Sequence, residues 1–157
     1  MASYNFCRLA AALAFLPCLL AQSNPILTVA PPATVAAKRG AELTAKLSVV
    51  LREGYHVNSN KPNEEYLIPL KLTWTPGPLD AGVAEYPKPH NEKYEFSEKP
   101  LSVYTGKFEI ISKFKVPPDA QQGPGIALGK LRYQACNNSM CLPPKTLDVT
   151  QQVEIVK

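Results

Sequence analysis

Residues 42–51 have the sequence ELTAKLSVVL, in which apolar residues occupy positions 43, 45, 47, 49 and 51. Polar residues fill most of the positions between them. This alternation predicts an antiparallel strand with one face buried in a core. Residues 107–116, KFEIISKFKV, alternate in the same way and predict a second strand of this kind. Trp74 is expected to lie in the core that such strands enclose.

The rest of the chain is also typical of an all-β protein. Sixteen prolines and eight glycines separate short β-rich runs. No segment keeps the apolar period of a helix for more than a turn or two. A two-sheet sandwich is the favoured architecture, with an eight-stranded barrel as the alternative. The predicted strands are residues 26–30, 42–51, 66–75, 82–86, 107–115, 126–134 and 146–155.

Two stretches between these strands, residues 55–63 and 87–100, are expected to be irregular. Both are mostly polar and interrupted by proline. Long ordered loops in compact domains often carry function. They are therefore candidates for parts of a functional site.

Residues 1–21 are predicted to be a cleaved export signal. Arg8 precedes an apolar run over residues 9–21 that ends at Ala21, before the polar Gln22. A run of about a dozen residues is too short to span a bilayer. Cleavage near Ala21 would leave residues 22–157, about 136 of the 157 residues, as one domain in the periplasm.

Charge and hydropathy exclude some classes of function. The chain has 17 basic and 13 acidic residues, a net charge of +4 that becomes +3 without Arg8. The lysines are scattered among glutamates, so no surface for a nucleic acid is predicted. No stretch after the signal approaches the roughly 20 consecutive apolar residues of a membrane helix, so the domain is not expected to be embedded in a membrane.

The predicted mature domain keeps two cysteines, Cys136 and Cys141, because cleavage removes Cys7 and Cys18. In an oxidising compartment such a pair normally forms a disulfide. On the loop-entropy model this short loop adds about 2 kcal/mol, against about 4.7 kcal/mol for a 100-residue loop. Because the disulfide adds little stability, a chemical role is favoured, and a structural role stays open. The two-residue spacing of thioredoxin is absent, so redox chemistry would use another scaffold.

Two other interpretations of this segment remain open. Cys136, Met140 and Cys141 offer three soft sulfur ligands, the kind that a Cu(I) carrier needs. Zinc is disfavoured, because two cysteines without a nearby histidine or second pair complete half of a tetrahedral site. A binding module with an inert disulfide is the third interpretation.

Residues 133–144, YQACNNSMCLPP, resemble the signature of the N-terminal periplasmic domain of the thiol:disulfide interchange protein DsbD. Similarity continues in EGYHVN at residues 53–58, PKP at 87–89 and EFSEKPLSVYTG at 95–106, and so covers most of the mature chain. The resemblance implies an immunoglobulin-like antiparallel β-sandwich. It also implies that Cys136 and Cys141 are the catalytic redox pair of a protein-disulfide reductase, and that Cys141 forms the mixed disulfide with partners.

The resemblance further implies how electrons reach and leave the domain. A membrane thiol-transporting protein would be the electron donor, and periplasmic thioredoxin-like proteins, some of which serve cytochrome c maturation, would be the acceptors. Because the chain stops at Lys157, the donor is expected to be a separate protein. No bound cofactor and no metal is expected.

The same resemblance assigns an aromatic cap loop over the oxidised pair, in which Phe96 after Glu95 matches the cap phenylalanine. Tyr94, His56 and Asn58 stand where the best-known relatives have an acid and two tyrosines, which leaves their roles open. His56 is expected to contact the dithiol or to be a solvated loop residue.

Two aromatic residues near the predicted site also have packing alternatives. Phe96 would cap the site or fill the end of the sandwich. Tyr133, three residues before Cys136, would line the site or pack against its cross-strand neighbours.

Overall fold

The computed structural model describes residues 24–157, which form an all-β domain. The predicted signal peptide, residues 1–21, lies outside the described residues. In the part of the chain that is described, no helix has the length and apolar character needed to cross a membrane. The strands are β1 (Leu27–Val29), β2 (Val35–Lys38), β3 (Glu42–Leu51), β4 (His56–Asn58), β5 (Lys71–Thr75), β6 (Val83–Glu85), β7 (His90–Glu92), β8 (Leu101–Thr105), β9 (Lys107–Lys115), β10 (Gly123–Tyr133), β11 (Ala135–Cys136) and β12 (Lys145–Val156).

The strands form three four-stranded sheets. Their orders are β1-β3-β9-β6, β2-β12-β10-β5 and β11-β4-β8-β7. Strands pair antiparallel except β2 and β12, which run parallel. The first two sheets pack as an immunoglobulin-like β-sandwich. All four strands of the third sheet lie next to strands of the two main sheets in chain order.

The main core lies between the first two sheets. Inward side chains alternate with outward ones along β3, as its sequence predicts. Trp74 on β5 packs edge-on against Phe114 on β9, with ring centroids 5.1 Å apart. Its indole Nε1 donates a hydrogen bond to the Ser112 hydroxyl at 2.9 Å, which satisfies the polar atom of a buried ring. The expectation that Trp74 belongs to the core is confirmed.

One face of the third sheet contributes to the main core. Ala135 on β11, Val57 on β4 and Tyr104 on β8 are opposite one another in register. All three side chains belong to the main hydrophobic cluster. This row fixes the orientation of the whole third sheet, because side chains alternate between faces along each strand.

The opposite face of the third sheet carries the next row, Cys136, His56 and Thr105. These side chains share one face because directly opposed residues in an antiparallel pair point the same way. A second, smaller apolar cluster lies on this face. Its members are Leu67, Tyr94, Leu101 and Val103.

The sandwich is confirmed and the barrel alternative is wrong, since both main sheets are open and end in edge strands. Strands β3 and β9 have the predicted bounds. The strand predicted over residues 66–75 begins only at Lys71. Leu67 lies in the loop before it and belongs to the second cluster.

The expectation that residues 55–63 and 87–100 are irregular is wrong in part, since they contain β4 and β7. None of the four strands of the third sheet was predicted. They have two to five residues each, which is too short for a period of two to be recognised.

Gly129→Ala should destabilise the sandwich by about 1–3 kcal/mol through overpacking. Gly129 lies on β10, and a Cβ there would be 2.6 Å from Trp74 Cε3. The matched control is Gly77→Ala, where a Cβ would have no neighbour within 4 Å. Urea denaturation of both variants measures the free energy of unfolding. Equal free energies of unfolding for the two variants would contradict the tight packing of Trp74, on β5, against Gly129 of β10.

Candidate redox site

A disulfide joins Cys136 and Cys141 across a tight hairpin. Their Cα atoms are 3.9 Å apart, and the two residues form an antiparallel bridge. The Asn137 N–H donates to the Met140 carbonyl at 2.9 Å. The Asn137 side-chain oxygen accepts from the N–H groups of Ser139 and Met140 at 2.9 and 2.8 Å. The disulfide expected for this pair is confirmed.

The two cysteines differ in exposure. Cys136 lies on β11 and is 0% exposed, whereas Cys141 is partly exposed. A protein partner that forms a mixed disulfide has to bring its own sulfur within bonding distance. Of the two cysteines, Cys141 is therefore the one that a partner can reach while the fold stays intact.

His56 is the cross-strand neighbour of Cys136. The register of β4 and β11 places the two residues directly opposite each other. Cβ atoms of such pairs are about 4.5–5.5 Å apart. His56 is 1% exposed, because β4 is an inner strand of the third sheet and the Tyr94 ring stacks on the imidazole. The alternative that His56 is a solvated loop residue is wrong.

Three aromatic rings stack in nearly parallel planes over this face. Tyr94 lies on His56 with ring centroids 3.8 Å apart. Phe96 lies 5.7 Å from Tyr94 and 6.4 Å from His56, centroid to centroid. Phe96 is 38% exposed, so it is the ring of the three that reaches the surface. The structure thus stacks Tyr94 and Phe96 on His56, which is the cross-strand neighbour of Cys136.

Residues 93–99, here called the cap segment, are held by polar contacts. The Lys93 ammonium donates to the carbonyls of Ser97 and Glu98 within the segment. Lys99 forms an ion pair with Glu64 at 3.2 Å. These contacts form a compact turn in which Glu95, between Tyr94 and Phe96 in the sequence, is exposed.

Burial and one carboxylate set the protonation of the stacked residues. The pKa of His56 is lowered from 6.5 to about 4, chiefly by burial; Glu92 acts to raise it and His90 to lower it. Burial also raises the pKa of Tyr94, as does the hydrogen bond from its hydroxyl to Glu92 at 2.9 Å. At neutral pH the His56 ring is therefore uncharged and the Tyr94 hydroxyl keeps its proton.

Asn58 connects the cysteine hairpin to the loop before β5. Its side-chain nitrogen donates to the Ile68 carbonyl at 3.0 Å and to the Gln134 side-chain oxygen at 3.5 Å. Gln134 in turn donates to the Leu142 carbonyl at 3.1 Å, just beyond Cys141. Asn58, predicted at the site without a defined role, thus ties together the segments around the disulfide.

Tyr133 packs in the main core, as its cross-strand alternative predicts, and burial raises its pKa. Its role beside the cysteines stays a prediction. Three contributing residues were not predicted: Glu92, Leu67 and Gln134. Gln134 lies within the quoted cysteine signature, and Leu67 lies among the apolar residues of the strand predicted over residues 66–75, so the sequence singled out both positions. Glu92 is a charged residue among polar neighbours and was not singled out.

The three sulfurs considered for Cu(I) are not available together as ligands in this structure. Both cysteine sulfurs are bonded to each other, and Met140 is an exposed residue of the hairpin turn. Within residues 24–157 no group of three His, Cys, Asp or Glu side chains is arranged to hold a metal ion.

The model of one protein family, described as the N-terminal domain of thiol:disulfide interchange protein DsbD, matches residues 23–152. The chain belongs to this family. The matched range includes the disulfide hairpin after β10. Among curated proteins none matches the sequence.

The solved structures similar to this DsbD N-terminal family member include two N-terminal domains. The N-terminal periplasmic domain of ScsB from Proteus mirabilis has a TM-score of 0.51 and 14% identity, over 82% of this chain and 44% of that chain. The chain thus spans less than half of that structure. The DsbD N-terminal domain of Neisseria meningitidis in its reduced form has a TM-score of 0.45 and 20% identity, over 80% of this chain and 85% of that one.

The buried His56 should make the domain less stable in acid. Above pH 6.5 the ring is neutral in the folded and the unfolded chain. As the pH falls from 6.5 to about 4, the unfolded chain binds a proton that the folded chain excludes. The free energy of unfolding should drop by up to about 3 kcal/mol through this group and then level off.

The measurement is urea denaturation at neutral pH and near pH 4, for the oxidised protein and for His56→Phe. The carboxylates titrate in both proteins, so the difference between them isolates His56. The phenylalanine variant should lose about 3 kcal/mol less than the parent protein. Equal losses would contradict the burial of a neutral His56.

Proposed function

We propose that the domain is a periplasmic thiol:disulfide interchange domain that passes reducing equivalents through Cys136 and Cys141. The observation that carries this proposal is the unequal exposure of the bonded cysteines. One sulfur is presented to partners and the other is kept inside, which suits a pair that opens and closes in turn. Membership of the DsbD N-terminal family supports the same chemistry.

The exchange proceeds in two balanced steps. The Cys141 thiolate of the reduced domain attacks a partner disulfide, forms a mixed disulfide and releases one partner sulfur as a thiolate. The Cys136 thiolate then attacks the Cys141 sulfur, closes the internal disulfide and releases the second partner sulfur. Two electrons reach the partner, whose two thiolates take up the two protons that the cysteines lost.

The acceptors are periplasmic thioredoxin-like proteins, and a membrane thiol-transporting protein returns electrons to the oxidised pair. The export signal proposed for residues 1–21 would bring the domain to this compartment. The domain then acts as a protein-disulfide reductase whose cysteine sulfurs carry the chemistry without a bound cofactor.

The cap segment regulates access to the disulfide. Phe96 and Tyr94 lie over the face of the third sheet that carries Cys136. In the oxidised state this arrangement limits attack by small thiols, and a partner displaces the segment when it docks. Glu95 and Phe96 are exposed and so can contact that partner.

Cys136→Ala should trap a covalent adduct with a thioredoxin-like protein. The variant keeps the accessible Cys141, but it lacks the sulfur that would resolve the mixed disulfide. The probe is a thioredoxin-like protein with one active-site cysteine, activated as its thionitrobenzoate disulfide. Non-reducing electrophoresis and mass spectrometry measure the adduct.

The matched control is Cys141→Ala, which keeps the buried Cys136 and should form much less adduct. Equal adduct from both variants would overturn the assignment of Cys141 as the partner-facing sulfur. No adduct from either variant, together with Cu(I) binding that depends on Met140, would overturn the interchange function and favour a copper carrier.

Phe96→Ala should leave the fold intact and speed reduction of the oxidised domain by small thiols several-fold. The change removes the outer ring of the stack and opens access to the sulfurs. Stopped-flow reduction by dithiothreitol measures the rate. Leu128→Ala is the control, because it shortens an exposed apolar side chain on β10, outside the third sheet. Equal rates in both variants would remove Phe96 from the cap.

A further inference from the structure

His56 has a buried ring nitrogen without a hydrogen-bond partner among the protein groups. Its Nε2 atom is shielded from solvent and makes no hydrogen bond with any of the described residues. A buried polar atom left unpaired costs free energy, so such atoms are rare in folded proteins. In this structure Cys136 is bonded to Cys141, and its sulfur carries no charge that could pair with the ring.

Once the disulfide is reduced, Cys136 is a buried thiol that has to ionise before it can react. The attacking species is the thiolate, yet a fully buried thiol resists ionisation because burial disfavours the charged form. A thiolate at Cys136 therefore needs a hydrogen-bond donor inside the protein. His56 is its cross-strand neighbour in the same row, on the same face of the third sheet.

We infer that His56 is a further catalytic residue, which stabilises the Cys136 thiolate through a hydrogen bond from Nε2. Reduction breaks the sulfur–sulfur bond and lets the Cys136 side chain rotate towards the ring. The neutral imidazole donates its N–H and keeps its proton, while the thiol proton passes to solvent. The thiolate then attacks Cys141 in the mixed disulfide, and the departing partner sulfur takes up a proton. This role rests on the proposed function.

Several charged or titratable groups surround His56 and bear on its pH dependence. Tyr94 covers one face of the ring, while Glu92 and His90 act on it from β7. Arg52 and Glu53 line the cleft of about 410 Å³ that opens beside the ring. Arg52 lies over the Tyr55 ring at 4.6 Å. The neutral state of His56 at physiological pH suits a donor that does not compete for the thiol proton.

The test is the pH titration of Cys136 in the Cys141→Ser variant, followed through the Cβ resonance of isotope-labelled cysteine. Adding His56→Phe keeps a ring for the Tyr94 stack and removes the donor. The Cys136 pKa should rise by about one unit, a roughly tenfold loss of thiolate. His56→Gln retains a donor and should restore part of this effect. The matched control is His90→Phe, which makes the same change at an exposed histidine. It should leave the Cys136 pKa unchanged.

A second measurement needs no substitution at His56. In the parent protein, the ring-nitrogen resonances of His56 should shift on reduction and titrate together with the Cys136 Cβ. Unchanged nitrogen resonances between the oxidised and reduced forms would overturn the role of His56, as would an unchanged Cys136 pKa in His56→Phe.

Exchange with the thioredoxin-like protein is measured in parallel on the parent protein. Normal exchange combined with an unaffected Cys136 titration overturns the role of His56 and leaves the proposed function standing. Absence of exchange in the parent protein overturns the proposed function itself.

Discussion

The alternation of side chains along β4 is the constraint on which both the core and the site depend. Val57 is held in the main core, so its neighbours His56 and Asn58 have to face the other side of the third sheet. A shift of one residue in register would place two polar side chains in the main core and move Val57 to the opposite face of the sheet. The hydrophobic effect that orders the sandwich therefore also fixes the position of the polar residues beside the disulfide.

The difference between the cysteines follows from the same geometry. Ala135 is anchored in the main core, and this places Cys136 next to it on the buried outer face of the third sheet. Cys141 is reached after a turn that Asn137 closes, and it lies on the opposite arm of the hairpin without a covering strand. Backbone pairing alone thus separates an inner sulfur from an outer one, although the loop between them is short.

The cap segment and the second apolar cluster are expected to be less stable than the sandwich, because they contain fewer buried apolar contacts. The second cluster has four apolar side chains, and the segments around it are joined largely by hydrogen bonds and an exposed ion pair. Exposed ion pairs contribute little, typically below about 1 kcal/mol. Elements with few buried apolar contacts open locally at lower free energy than a main core. A cap that yields to a partner while the sandwich stays folded is consistent with this distribution of contacts.

The sequence by itself determined the sandwich, the hairpin cysteine pair and the family. Long strands with one buried face, such as β3 and β9, alternate visibly between apolar and polar residues, and the cysteine signature is local in sequence. The tertiary structure decided the third sheet, the burial of His56 and its stacking under Tyr94. Strands β4, β8 and β11 are short and largely buried on both faces, so they lack the alternation that identifies a half-exposed strand. These strands pair residues that are far apart in the chain, and local sequence patterns do not predict such pairing.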